Sequence, residues 1–200
     1  VSERETGTIA IALSLPTSRA HLAVGKLLGR CTVLSATFLV GAIAGAGVVI
    51  VRYPSFPVVR YALFVLASLL YGVGFIAIAM ALSMAIRSSR RVIGAAFGAY
   101  VLLIMFASQV VDLVVVILFR FHPRALIDLP MWAETAKFLS PRTAFEYLLE
   151  EMIGVGGGPT ILVVDMQWFG APSVALGVLI AWIVVPIVVG SFRFRTMDVY

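Results

Sequence analysis

Charge is scarce in this chain: Lys, Arg, Asp and Glu together supply 12% of its 200 residues, against 62% that are hydrophobic. A soluble domain of ordinary composition carries about 25% charged residues. With 15 Lys and Arg and 10 Asp and Glu, there is too little polar surface to coat a globule of this size, so soluble and disordered classes are both excluded. Cysteine is scarcer still. Cys31 stands alone, so no internal disulfide can form, and with only His21 and His122 beside it no tetrahedral Cys/His metal site can be assembled. The formal charge of +5 would favour nucleic acid in a soluble chain. Here the basic residues fall in short gaps between apolar runs, where they set membrane orientation, and no nucleic-acid partner is expected.

Catalytic signatures are also missing. A phosphate-binding loop needs G-x-x-x-x-G-K-[ST], but the sole Gly-Lys pair, Gly25-Lys26, is followed by Leu27, which places no hydroxyl for magnesium. The chain is therefore not expected to hydrolyse ATP by itself. There is no G-x-S-x-G and no H-E-x-x-H, and no internal repeat or low-complexity tract. No catalytic residues, metal site or cofactor of the chain's own is expected.

What is present is a set of uncharged apolar runs. Crossing about 30 Å of hydrocarbon takes roughly 20 helical residues, and such runs occur at 31–51, 61–86, 92–119 and 173–191. They predict an all-α polytopic membrane protein with four spans and a lipid bilayer as its solvent. Ile9 to Leu15 is apolar too, but Pro16 ends it after about two turns, which suits a short surface helix within a cytoplasmic region at 1–30.

Four crossings put both ends on one side. That side carries Arg4, Arg19, Lys26, Arg30, Arg87, Arg90, Arg91, Arg193 and Arg195, whereas the other carries Arg52, Arg60, Arg120, Arg124, Lys137 and Arg142, offset by most of the acidic residues. The excess of Lys and Arg makes the first side cytoplasmic, in a plasma membrane. His21 and His122 then lie on opposite sides. Residues 120–172 form the long extracytoplasmic loop, too long for a tight connection and so expected to hold structure of its own. Glu134 to Met152 reads as one or two amphipathic helices, with Ser140-Pro141 as a start signal, and Gly156-Gly157-Gly158-Pro159 breaks the chain beyond them. Trp132, Tyr147, Trp168 and Phe169 are placed where aromatic rings could sit at the headgroup level.

Asp112 is the one ionisable side chain deep within an expected span, with Ser108 and Gln109 on the same helical face four and three residues earlier. A carboxylate in hydrocarbon costs several kcal/mol unless it faces protein or water. The three residues are therefore candidates for a substrate path; the structural alternative is that Asp112 pairs with Arg120, Arg52 or Arg60 and fixes packing. Met80 and Met84, one turn apart, could offer thioethers to a soft ion, but with no third ligand they read better as gap-filling core residues. Gly41/Gly45 and Gly94/Gly98 repeat at i, i+4 inside spans, the spacing that lets helix backbones approach, and read as packing faces that include subunit contacts.

The opening segment carries the most information. Glu3-Arg4-Glu5-Thr6-Gly7-Thr8, a short apolar helix ending in Leu15, Pro16-Thr17-Ser18-Arg19, and then Gly25-Lys26 at the mouth of a span form an ordered series. In this order they resemble the coupling region of type-2 ABC exporter permeases, most of all the permease of the copper-processing clusters that accompany nitrous-oxide reductase. The resemblance extends over the chain in its sequence of spans, a long outer segment with a Ser-Pro, and a last span ending in Phe192-Arg193-Phe194-Arg195.

The resemblance implies a permease subunit that forms the substrate pathway, pairs with a second permease subunit in a homodimer, and docks a separate ABC ATPase subunit that binds ATP and magnesium. Matching residue by residue, Glu3, Arg4, Glu5, Gly7, Pro16, Arg19 and Lys26 would form the docking region, and Ser140 to Met152 would match outer half-helices that cap the pathway. It also implies six spans, of which this chain holds the last four, so that it reads as a fragment lacking the first two. Relatives with this coupling motif are associated with copper or sulfur species, sodium, drugs or lipids, and the chain lacks the Cys, Met and His density of a dedicated copper path. The competing function, from the residues alone, is an ion-coupled secondary transporter or channel that uses Asp112.

Overall fold

The computed structural model describes residues 19–86, 88–122, 126, 129–153 and 172–196, the side chains of 19–24, 89, 152–153 and 194–196 aside. Most of the described residues are helical, with no strand among them: α1 (Arg19–Arg52), α2 (Val58–Ala85), α3 (Ser89–Val101) continuing through a π-helical turn (Leu102–Phe106) into α4 (Ala107–Leu118), α5 (Met131–Phe138), α6 (Pro141–Ile153) and α7 (Pro172–Thr196). Among the described residues four helical segments are long and apolar enough to cross a membrane: Gly25–Arg52, Val58–Ala85, Arg90–Leu118 and Pro172–Arg193. Their apolar side chains remain largely exposed, as in Val40, Ile43, Phe97, Leu113 and Val185. That is the pattern of a chain whose solvent is hydrocarbon, where only a backbone bonded within its own segment is tolerated.

Two compact units make up the chain. The first comprises Val1–Pro57, Gly72–Gly98 and Ala181–Tyr200, and the second Val58–Tyr71 and Ala99–Ile180. In the first, Met80 and Met84 are buried with Leu27 packed against them, so the two thioethers fill the core as their sequence context suggests. Gly190 of α7 meets Ala81 of α2 so closely that a β-carbon there would lie 2.8 Å from the Ala81 Cα. Only glycine permits that backbone approach.

In the second unit the end of α4 is shaped by two successive residues in the left-handed region, Arg120 (φ 51°) and Phe121 (φ 60°). Neither is glycine, and each such conformation costs on the order of 1 kcal/mol. The Phe121 amide donates to the Val116 carbonyl at 2.8 Å, so the reversal also satisfies an orphan acceptor of the helix end. Beyond the turn, Val115 and Ala133 are fully buried together with Val111 and Leu129 around them, which seats α5 on α4. Ser140 then caps α6: its Oγ accepts from the Thr143 amide at 3.1 Å and donates to Thr143 Oγ1 at 2.8 Å. With Pro141 as the first helical residue, the tight connection between α5 and α6 leaves its buried hydroxyls bonded.

Candidate functional site

Three contacts step along the third membrane-length segment in order. Ala133 packs on Val115, the Lys137 ammonium pairs with the Asp112 carboxylate at 2.5 Å, and Arg142 Nη1 donates to the Ile104 carbonyl at 2.8 Å. As α5 advances from 133 to 137, its partners retreat from 115 to 112, so α5 runs antiparallel to α4. Ile104 lies fourteen residues from either end of Arg90–Leu118, about 21 Å at the α-helical rise. The same depth is reached on α2, where Tyr71 stacks on Phe145 of α6 with ring centroids 4.5 Å apart and planes 9° from parallel. Tyr71 is the fourteenth of the 28 residues of α2. The beginning of α6 therefore sits level with the midpoints of two membrane-length helices.

The π-helical turn supplies the acceptor at that depth. Its wider i→i+5 bonding loosens the carbonyl ladder, and Phe106, at φ −113° and ψ −6°, marks the return to α-helix. Arg142 fills the opening. Its Nε also donates to Glu146 Oε1 at 2.7 Å, one turn further along α6. Lys137 is the more deeply placed member of its pair, with 14% of its side chain exposed against 35% for Asp112. Arg142 is the most open of the four, at 42%, and Glu146 is 32% exposed. Tyr147, on α6 and in edge contact with Phe138, has its phenol pushed up from the ordinary range by burial and then by the nearby Glu151 carboxylate.

These placements refine the residues singled out by sequence. Asp112 is paired, but with Lys137 of α5, not with Arg120, Arg52 or Arg60; no periodicity within a span could reveal a partner carried on a separate segment. Ser108 Oγ donates to Gln109 Oε1 at 3.0 Å, and these two share the α4 helix with Asp112. At Gly41, Gly94 and Gly98 an added β-carbon would meet nothing within 4 Å, so these three positions are open in the isolated chain. Of the docking series, Glu3, Arg4, Glu5, Gly7 and Pro16 lie outside the described residues, as do the apolar run Ile9 to Leu15, the glycine-rich break, Trp168 and Phe169. Arg19 begins α1, and Lys26 lies within it and is half-buried. Lys137, Arg142 and Glu146 were not singled out by sequence, although the i, i+4 spacing of the last two was a usable signal. Among the described residues no three His, Cys, Asp or Glu side chains cluster to hold a metal ion.

Membrane-length helices with a helical hairpin packed to their midpoints define the class: an all-α, multi-pass membrane protein. The chain belongs to the ABC-2 family of transporter proteins, whose family model matches residues 1–199. A comparison with curated proteins finds no match. Family membership makes it a membrane permease component of an ABC transporter and implies association with an ABC ATPase component.

Proposed function

We propose that the chain is the permease subunit of an ATP-driven exporter, forming the substrate pathway while a separate polypeptide binds ATP and magnesium and hydrolyses the nucleotide. The observation that carries this reading is the family match over residues 1–199, which takes in the opening segment as well as all four apolar helices. Glu3, Arg4, Glu5, Gly7, Pro16, Arg19 and Lys26 form the surface that docks the ATPase subunit. The ends of the chain face the cytoplasm, and the protein resides in the plasma membrane, oriented by the Lys and Arg bias of its connections. Two copies pair through small-residue faces at Gly41, Gly45, Gly94 and Gly98; the open space beside Gly41, Gly94 and Gly98 supports this use. Ser108, Gln109 and Asp112 border the pathway. Among substrates, handling of copper or sulfur species in a nitrous-oxide reductase cluster follows from the resemblance of the coupling series.

An ion-coupled transporter would need Asp112 to load and release a cation or proton. A carboxylate already held by Lys137 at 2.5 Å is poorly placed to do so, which favours the ATP-driven reading. The test uses the full-length protein, purified in mild detergent from a strain carrying its own ABC ATPase genes. A Walker-A-containing subunit should co-purify with ATPase activity, and reversing Glu3 and Glu5 to Lys should abolish that coupling while membrane insertion persists. Purification alone, with transport driven by an ion gradient and lost on Asp112→Asn, would overturn the proposal.

A further inference from the structure

Arg142 combines features that a purely structural arginine does not require. Its Nε–H and one Nη1–H are committed to Glu146 and to the Ile104 carbonyl, and its remaining N–H groups have no acceptor among the described residues. The side chain is 42% exposed, yet it sits level with the midpoints of Arg90–Leu118 and, through neighbouring Phe145, of Val58–Ala85. A guanidinium open to that extent at half-depth cannot rest against hydrocarbon, so its open edge faces water or a polar group. The two committed bonds fix the plane of the guanidinium in advance. What remains is three N–H donors, one on Nη1 and two on Nη2, a donor set suited to the oxygens of a carboxylate or phosphate.

We propose that the open edge of Arg142 is an oxyanion-binding site halfway along the membrane-length helices, for a solute that carries a phosphate or carboxylate group. The proposal rests on the permease-and-pathway part of the reading above and sets aside a bare copper cation as the solute at this site. An anion is favoured over a cation because the unused groups are donors, whereas Glu146 Oε1 already accepts from Arg142. The same glutamate offsets the arginine charge, so the bound anion is held weakly, as a site on a conduction path must be if its occupant is to leave.

The test measures thiol reactivity in the full-length protein, reconstituted in phosphatidylcholine vesicles with Cys31→Ser and any other cysteine replaced. Ile104→Cys keeps the carbonyl that anchors Arg142 and places a reporter beside it; Leu148→Cys, at a position only 1% exposed, is the unreactive control. The Ile104→Cys thiol should react with membrane-impermeant methanethiosulfonates, the sulfonate reagent faster than the trimethylammonium one. Arg142→Gln should shift that ratio about tenfold toward the cationic reagent, as loss of one focused charge does, and Arg142→Lys should preserve it. Inorganic phosphate should slow labelling if the site takes a free oxyanion; slowing only when phosphatidylglycerol is added to the vesicles would assign it to a lipid headgroup. An inert Ile104→Cys, a ratio unmoved by Arg142→Gln, or absence of protection by both probes would overturn the site. If Arg142→Gln fails to fold, the protection measurements with Arg142 intact decide. None of these readouts needs ATP, so an ATPase subunit that co-purifies while the reporter stays inert sinks the anion site and leaves the exporter reading standing.

Discussion

Tyr71 and Phe145 lie face to face, 4.5 Å between ring centroids, although one is the central residue of a membrane-length helix and the other belongs to a 13-residue amphipathic one. The stack ties the hairpin to α2 as the Arg142 bond ties it to the π-helical turn. Offset aromatic pairs contribute about 0.5–1.5 kcal/mol beyond the area they bury. Phe145→Ala should therefore lower stability by about 2–3 kcal/mol, less than a fully buried phenylalanine because both rings are only half-buried. Phe145→Tyr should cost far less. Thermal unfolding followed by fluorescence-detected size exclusion would check both; equal loss in the two variants would contradict the stacking role.

The Asp112–Lys137 pair makes a separate prediction. It is neither fully exposed nor fully buried, so its coupling energy should lie between the surface and buried limits, about 1–2 kcal/mol. Lys137→Met should destabilise more than Asp112→Asn, because the lysine is the better covered partner and its loss strands a carboxylate beside apolar Val111 and Val115. A double-mutant cycle on the purified protein, with the exchanged pair Asp112→Lys/Lys137→Asp as a rescue, measures the coupling directly. Additive single effects would exclude an energetic link.

Glycines separate by location. Gly190→Ala drives a β-carbon to 2.8 Å from the Ala81 Cα, a backbone atom that cannot give way, and should cost about 1–3 kcal/mol. Gly41→Ala, Gly94→Ala and Gly98→Ala meet open space within the chain, so they should leave the monomer as stable or slightly more so, since alanine is the better helix former. A loss of dimer without loss of monomer stability at these three positions would locate the contact between copies. The readout is the monomer–dimer ratio in detergent, alongside thermal stability.

Tyr147 carries a pH prediction. Its folded-state value is raised above that of the unfolded chain by burial and by Glu151, so the folded state holds the phenolic proton more tightly. The contribution is fully present below the unfolded tyrosine range and is lost as pH rises through the raised folded value. Tyr147→Phe keeps the edge contact to Phe138, removes the ionisable group, and should flatten the alkaline limb of the stability–pH profile. An unaltered alkaline limb would assign the loss to other groups.

Sequence alone determined the solvent, the helical class and the membrane-length helices, because scarcity of charge and the length of an apolar run are additive along the chain and need no knowledge of neighbours. It also indicated the start of α6, since Ser140 and Pro141 act on the local backbone they cap. The family could be approached from the order of Glu3-Arg4-Glu5-Thr6-Gly7, Pro16 and Gly25-Lys26, which is likewise a one-dimensional property. The depth of the α5–α6 hairpin was not legible in that way. An amphipathic helix presents the same spacing of apolar residues whether that face meets headgroups or packs against another helix, and only the contacts of Lys137, Arg142 and Phe145 distinguish the two. The tertiary structure decided the partner of Asp112, the acceptor of Arg142 at Ile104, and which glycines are close-packed. Each depends on the separation between segments distant in the chain, and on a π-helical turn that no residue type announces.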